Sequence, residues 1–136
     1  LVGSALLTIT LGLPAGIISM ATILIIQSLV FGDGGIFALG VNILNMGVIG
    51  CLVAHFSYKY ISKLHKGFAC FISAWLSVVI AALAAGIELG LSAPIFGFGL
   101  EVAVPVMVTW HAILGIPEGI ITFAAVEWLR RGGYVE

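Results

Sequence analysis

Long apolar runs separated by short polar interruptions organise the whole chain. Residues 15 to 31 follow Pro14, carry no charge, and at ~1.5 Å per helical residue nearly cross a hydrocarbon core of ~30 Å. A second uncharged run extends from Ile36 to Tyr58 and a third from Gly67 to Ile87. A fourth lies between Glu101 and Arg130, with Gly115-Ile116-Pro117 in its middle, where a helix break is expected. Leu1 to Leu13 is too short to span and is expected to be the tail of a helix begun upstream. The pattern predicts four full spans and one partial span. Hydrocarbon offers no partner to an open backbone, so these spans must be helices; barrel strands would alternate apolar and polar residues. The predicted fold is all-α: a polytopic transmembrane helix bundle, one transmembrane domain over 1–136.

Composition agrees with a chain dissolved in lipid. Of 136 residues 62% are hydrophobic and 8% charged, against about 25% charged in an ordinary soluble domain. Mean hydropathy is +1.28. The 5 Lys+Arg and 6 Asp+Glu leave no basic surface to neutralise a run of phosphates, which excludes nucleic acid as a partner. Cys51 and Cys70 lie inside apolar runs and read as small buried hydrophobes rather than a disulfide or a metal pair. The sequence opens on Leu1 and meets no charge before Asp33, so it lacks the basic start of a signal peptide, and an N-terminal portion is expected upstream.

Lys59, Lys63, Lys66, Arg130 and Arg131 fall into two clusters, and the positive-inside rule places both in the cytoplasm. One topology satisfies both. The Gly-Asp-Gly-Gly loop at 32 to 35 then faces outward, the connector 59 to 66 inward, Glu88 to Glu101 outward and the C-terminus inward. A hairpin at Gly115 to Pro117 would split the basic residues between two sides. Small residues four apart, Ala81/Ala85, Ala82/Gly86 and Gly86/Gly90, put a smooth strip on one helix for close packing within the chain or against a partner.

Polar groups at membrane depth are costly and are the candidates for chemistry. Asn42 and Asn45, three apart on one helix face, suit either the lining of a polar cavity or the holding of a loop. Asp33, between glycines, either draws a cation inward or caps a helix. His111 precedes Glu118 by two helical turns, nominally on one face. Imidazole is a common metal ligand that a carboxylate can orient; alternatively, the pair satisfies backbone groups freed around Pro117. His55 and His65 flank the basic connector as interfacial residues. No metalloprotease His pair, nucleophile elbow or phosphate-binding glycine loop is present.

The stretch Phe31-Gly-Asp-Gly-Gly-Ile-Phe-Ala-Leu-Gly-Val-Asn-Ile-Leu-Asn-Met-Gly47 resembles the signature of the CbiM/NikM membrane proteins. His111-Ala-Ile-Leu-Gly-Ile-Pro-Glu-Gly-Ile-Ile-Thr122 resembles that family's second signature, and the two stand in the right order. With Leu-Gly-Leu-Pro-Ala-Gly at 11 to 16, the likeness covers most of the chain. Pro117 departs from it, since a small residue such as glycine is expected there.

The resemblance implies the substrate-binding membrane subunit of an energy-coupling-factor transporter, capturing Co²⁺ or Ni²⁺ as transported substrate. Its implied partners are a transmembrane coupling subunit and ATP-hydrolysing subunits, in the cell membrane. It implies no enzymatic activity and no resident cofactor. The family's ligands, a Met-His start and a histidine just before the segment matched by Leu1-Val-Gly-Ser4, fall on no residue of this chain. What carries over is a supporting role for Asp33, Asn42, Asn45, His111 and Glu118. Without the signatures, a small channel or structural membrane subunit fits the composition equally, and an intramembrane enzyme would need a nucleophile or metal triad that is not displayed. Ligand chemistry alone does not separate cobalt from nickel.

Overall fold

The computed structural model describes residues 3–135. Every regular element among them is helical: α1 (Ser4–Leu11), α2 (Leu13–Phe31), α3 (Leu39–Ile61), α4 (Lys66–Leu91), α5 (Ala93–Phe96) and α6 (Leu100–Arg131). The four long helices are those whose length and composition suffice to cross a membrane. They match the four uncharged runs, with ends that extend a few residues into the polar flanks. Leucine, isoleucine and valine on the outer faces of α2 and α6, such as Ile18, Val30, Ile113 and Ile120, stay exposed because lipid is their solvent.

Two sequence expectations about helix ends are corrected. The first apolar piece does not run through as one helical tail: α1 begins at Ser4 after Gly3 in a left-handed conformation, and Gly12 (φ 85) separates it from α2. The last span does not break at Gly115-Ile116-Pro117, because α6 is continuous through both Pro105 and Pro117. A proline removes one N–H, and neighbouring helices supply compensating contacts in a membrane. Trp75 Nε1 donates to the Ala112 carbonyl at 2.9 Å, next to the Ile113 carbonyl that Pro117 leaves without its donor. The adjacent glycines serve packing: a Cβ on Gly115 would lie 2.9 Å from Trp75 Cδ1, and one on Gly119 2.6 Å from Phe71 Cδ2.

The same logic builds the α4–α6 seam. The glycine end of the small strip packs on α6 of the same chain, where a Cβ on Gly86 would stand 3.1 Å from Val104 Cα and one on Gly90 2.7 Å from Leu100 Cα. Lipid does not drive helices together, so close backbone approach is the main source of their attraction. Cys51 and Cys70 are fully buried and free, as their apolar context predicts.

Both basic clusters lie at one end of the bundle. The Arg130 guanidinium donates to the Tyr58 hydroxyl, which joins the C-terminal ends of α3 and α6. Glu127 pairs with Arg130 at 3.9 Å and Arg131 at 3.4 Å. His65 caps α4, its Nδ1 accepting from the Phe68 N–H at 3.1 Å, and His55 stays at the same end. The loop after α2 and the α4–α5 turn share a chamber at the opposite end.

Candidate metal passage

Two π-helical stretches interrupt the regular α-helices, Gln27–Phe31 at the end of α2 and Ile43–Ile49 within α3. Wide turns of this kind are rare and cluster at functional sites. The second carries Asn45, which is 3% exposed, and is tied to α1 by Ser4 Oγ, which donates to the Met46 carbonyl at 2.7 Å. Neither the wide turn nor that tie is legible in a hydropathy pattern.

Beside this stretch lies a cavity of about 140 Å³ between α3, α4 and α6. Asn42, Asn45 and Met46 form one wall and Met107 and His111 another, while alanines of the α4 strip close the third. An outer chamber of about 420 Å³ shares Asn42, Ala85 and Met107 with it. Phe37 of the loop after α2, Glu88 and Ser92 of the α4 end, and Phe96 of α5 complete that chamber. The two neighbouring spaces mark a candidate route from the loop end of the bundle toward His111. Cavities lined by convergent polar groups are the usual binding sites of such folds.

Glu88 joins the two chambers. Asn45 Nδ2 donates to Glu88 Oε2 at 2.6 Å, a charge-assisted bond between α3 and α4. In the sequence Glu88 marked only the end of a run; it lies within α4, three residues from its end. An ionisable residue followed by Leu-Gly-Leu before any turn residue was the signal available for placing it inside the helix. Since the carboxylate accepts, the amide orientation is fixed, and Asn45 Oδ1 is left buried without a partner. Met107, a second cavity residue, gave no sequence signal beyond apolarity.

Asn42 lines both chambers, and its amide packs close to the loop, since a Cβ on Gly34 (φ +74) would meet Asn42 Nδ2 at 2.6 Å. Only glycine fits there on both counts. Asp33 does not cap a helix: α3 starts without a side-chain cap, and the loop instead closes through the Asp33 N–H, which donates to the Gln27 carbonyl at 3.1 Å. Its carboxylate is exposed at the rim.

His111 and Glu118 share a continuous helix, but their engagements differ. His111 Nδ1 lies 2.8 Å from the Met107 carbonyl, and the ring borders the inner cavity. That carbonyl is not one that a proline frees, because Pro105 and Pro117 deprive Glu101 and Ile113. Glu118, 5% exposed and seven residues on, accepts from the Gly3 N–H at 2.8 Å. A carboxylate at the start of α1 satisfies an orphan donor and suits the positive end of the helix. The residues set two different polar points rather than one site. Among the described residues no cluster of three or more His, Cys, Asp or Glu stands ready to hold a metal.

Comparison with known proteins gives this route a context. Residues 1–133 match the family CbiM, described as the cobalt uptake substrate-specific transmembrane region. A putative fused nickel transport protein NikMN of Archaeoglobus fulgidus is 48% identical over 128 residues, which are 94% of this chain and 43% of that protein. The cobalt transport protein CbiM of Carboxydothermus hydrogenoformans is 31% identical over 115 residues, 80% of this chain and 46% of its own length. The chain thus spans about half the length of these relatives. The crystal structure of a truncated transition metal transporter superposes with a TM-score of 0.90 at 40% identity, covering 96% of this chain and 67% of that one. These relatives are named as metal transport proteins, not as enzymes. A multi-pass helix bundle matched along nearly its whole length by the family's signature region places the chain among them: it belongs to the CbiM family.

Proposed function

We propose that this chain is the substrate-capturing membrane part of an uptake system for Co²⁺ or Ni²⁺, a single transmembrane unit working with a separate coupling subunit and ATP-hydrolysing subunits of the energy-coupling-factor type. The observation that carries this is the match of residues 1–133 to the cobalt-uptake substrate-specific region. The two neighbouring chambers at the loop end, whose lining includes Asn42, Asn45, Glu88 and His111, support it. All five Lys and Arg gather at the opposite end, which the positive-inside rule assigns to the cytoplasm together with the C-terminus. The cell membrane is then the site of action, and the Asp33 loop opens outward.

Asp33 raises the local cation concentration at the rim through its exposed charge. Asn42 keeps the Gly34 loop in place over the outer chamber, and Asn45 holds Glu88 toward it. Glu118 fixes the start of α1. Imidazole and amine nitrogens suit Co²⁺ and Ni²⁺ better than an oxygen-only cage would.

Uptake of radioactive Co²⁺ and Ni²⁺ by cells carrying the full-length protein and its partner subunits tests the reading and chooses the metal. Accumulation above cells lacking the protein is expected for at least one of the two. Equal accumulation with and without it would refute the proposal.

A further inference from the structure

We infer that a cavity at the basic end of the bundle, between the α1–α2 turn and the last turns of α3, binds the phosphodiester headgroup of an anionic phospholipid. The cavity holds about 370 Å³ and is bordered by Ile9 and Gly12 on one side and by His55, Tyr58, Lys59 and Ser62 on the other. Its size falls within the range of small-ligand sites, about 300–1,000 Å³. It shares no residue with the chambers at the loop end.

Helical spacing sets the polar side of this cavity. Residues 55, 59 and 62 stand four and then three apart, so His55, Lys59 and Ser62 fall on one face at the end of α3, the face that borders the cavity. That stripe offers an ammonium, an imidazole N–H and a hydroxyl, all of which can donate to phosphate oxygens. Across from it α2 begins after Gly12 with no side chain capping its first N–H groups, so the positive end of a 19-residue helix adds to the same field. Tyr58, in the same stripe, carries the Arg130 guanidinium on its hydroxyl, which brings a further positive charge nearby.

This charge is not balanced from within. Of the described carboxylates only Glu127 stands at this end, and Arg130 and Arg131 share it at 3.9 and 3.4 Å. Lys63 lies over the Tyr60 ring, 5.6 Å from its centroid. Lys59 has no carboxylate partner among the described residues, so its charge is open to an external anion. Ile9 and the Tyr58 ring make part of the wall apolar, which suits the glycerol and first methylenes of a lipid and gives nothing to a hydrated inorganic ion. Leu11 and Phe56, neighbours of Gly12 and His55 in sequence, are 55% and 49% exposed and give acyl chains a surface to lie on. The positive-inside rule assigns this end to the cytoplasmic leaflet, whose anionic headgroups are drawn to basic pockets between transmembrane helices.

The test is native mass spectrometry of the full-length protein in a neutral detergent, with phosphatidylglycerol or phosphatidylcholine added in equal amount. Wild type is expected to retain phosphatidylglycerol about fivefold or more over phosphatidylcholine. Lys59→Glu should lower that retention about tenfold, while Lys63→Glu, the same charge change one turn away and outside the cavity, should lower it no more than about twofold. Inorganic phosphate in large excess should not displace the lipid. Equal retention of the two lipids, equal losses from the two variants, or displacement by phosphate would overturn the inference, the last by assigning the cavity to a free oxyanion. A Lys59→Glu protein that keeps its phosphatidylglycerol but no longer copurifies with the coupling subunit would overturn it too, since the cavity would then be a protein-docking surface.

Discussion

The two sides of α4 are built on opposite principles. Toward α6 it presents Gly86 and Gly90, where a Cβ would stand 3.1 Å from Val104 Cα and 2.7 Å from Leu100 Cα. Toward α3 it meets a π-helical stretch, a cavity and a buried asparagine whose Oδ1 is unpaired. The first interface maximises dispersion contact, the main attraction between helices in lipid. The second forgoes that contact. Packing this complete on one side allows imperfect packing on the other, and the imperfect side is where a passage can lie.

The contrast breaks most severely at the seam. Gly90→Val drives a branched side chain into Leu100 and should cost about 1–3 kcal/mol or more, read as a lower melting temperature and loss of the monodisperse peak in detergent. Gly40→Ala, with open space around its Cβ, should leave both unchanged.

Glu118→Ala is expected to come next. It strips the Gly3 N–H of a charged acceptor worth about 1.5–3 kcal/mol, and amide exchange in the first turn of α1 should accelerate. Asn45→Leu removes the bond to Glu88 but also the unpaired buried Oδ1, and these effects offset in part, so the melting temperature should fall less than for Glu118→Ala while metal uptake falls about tenfold. An equal loss of stability and uptake would erase the distinction between the two sides. Asp33→Asn should have the smallest effect. Stability should stay within about 0.5 kcal/mol, and uptake should slow only at low ionic strength, converging with wild type as salt screens the rim.

The sequence made the spans legible because lipid imposes one demand on every residue of a run, and an average over twenty positions reveals it. The seam was half legible. The four-residue spacing of Ala81, Ala85 and Ala82, Gly86 predicts a smooth face, while its partner, α6 of the same chain, is a tertiary fact. Pro117 looks like a terminator in the sequence, yet α6 runs through it, with Gly115 and Gly119 packed against Trp75 and Phe71 of α4. For the candidate passage, Asn42, Asn45 and His111 stood out because polar groups are rare at that depth, and the structure brings all three to one cavity. Glu118 stood out equally and is committed elsewhere, to Gly3. Glu88 and Met107 are not legible in the sequence, where one marks the end of an apolar run and the other is one more apolar residue; only the crossing of α3, α4 and α6 brings them to one chamber.

The most direct test of the account is thiol labelling from outside. Ala85 borders both chambers, and Cys51 and Cys70 are buried, so Ala85→Cys in the full-length protein, with any cysteine outside residues 1–136 replaced, offers a reporter on the route. In intact cells a membrane-impermeant thiol reagent should modify it, and Ni²⁺ or Co²⁺, but not Mg²⁺, should slow the reaction. Modification only from the cytoplasmic side, or a rate that no transition metal alters, would contradict an outward-opening metal passage.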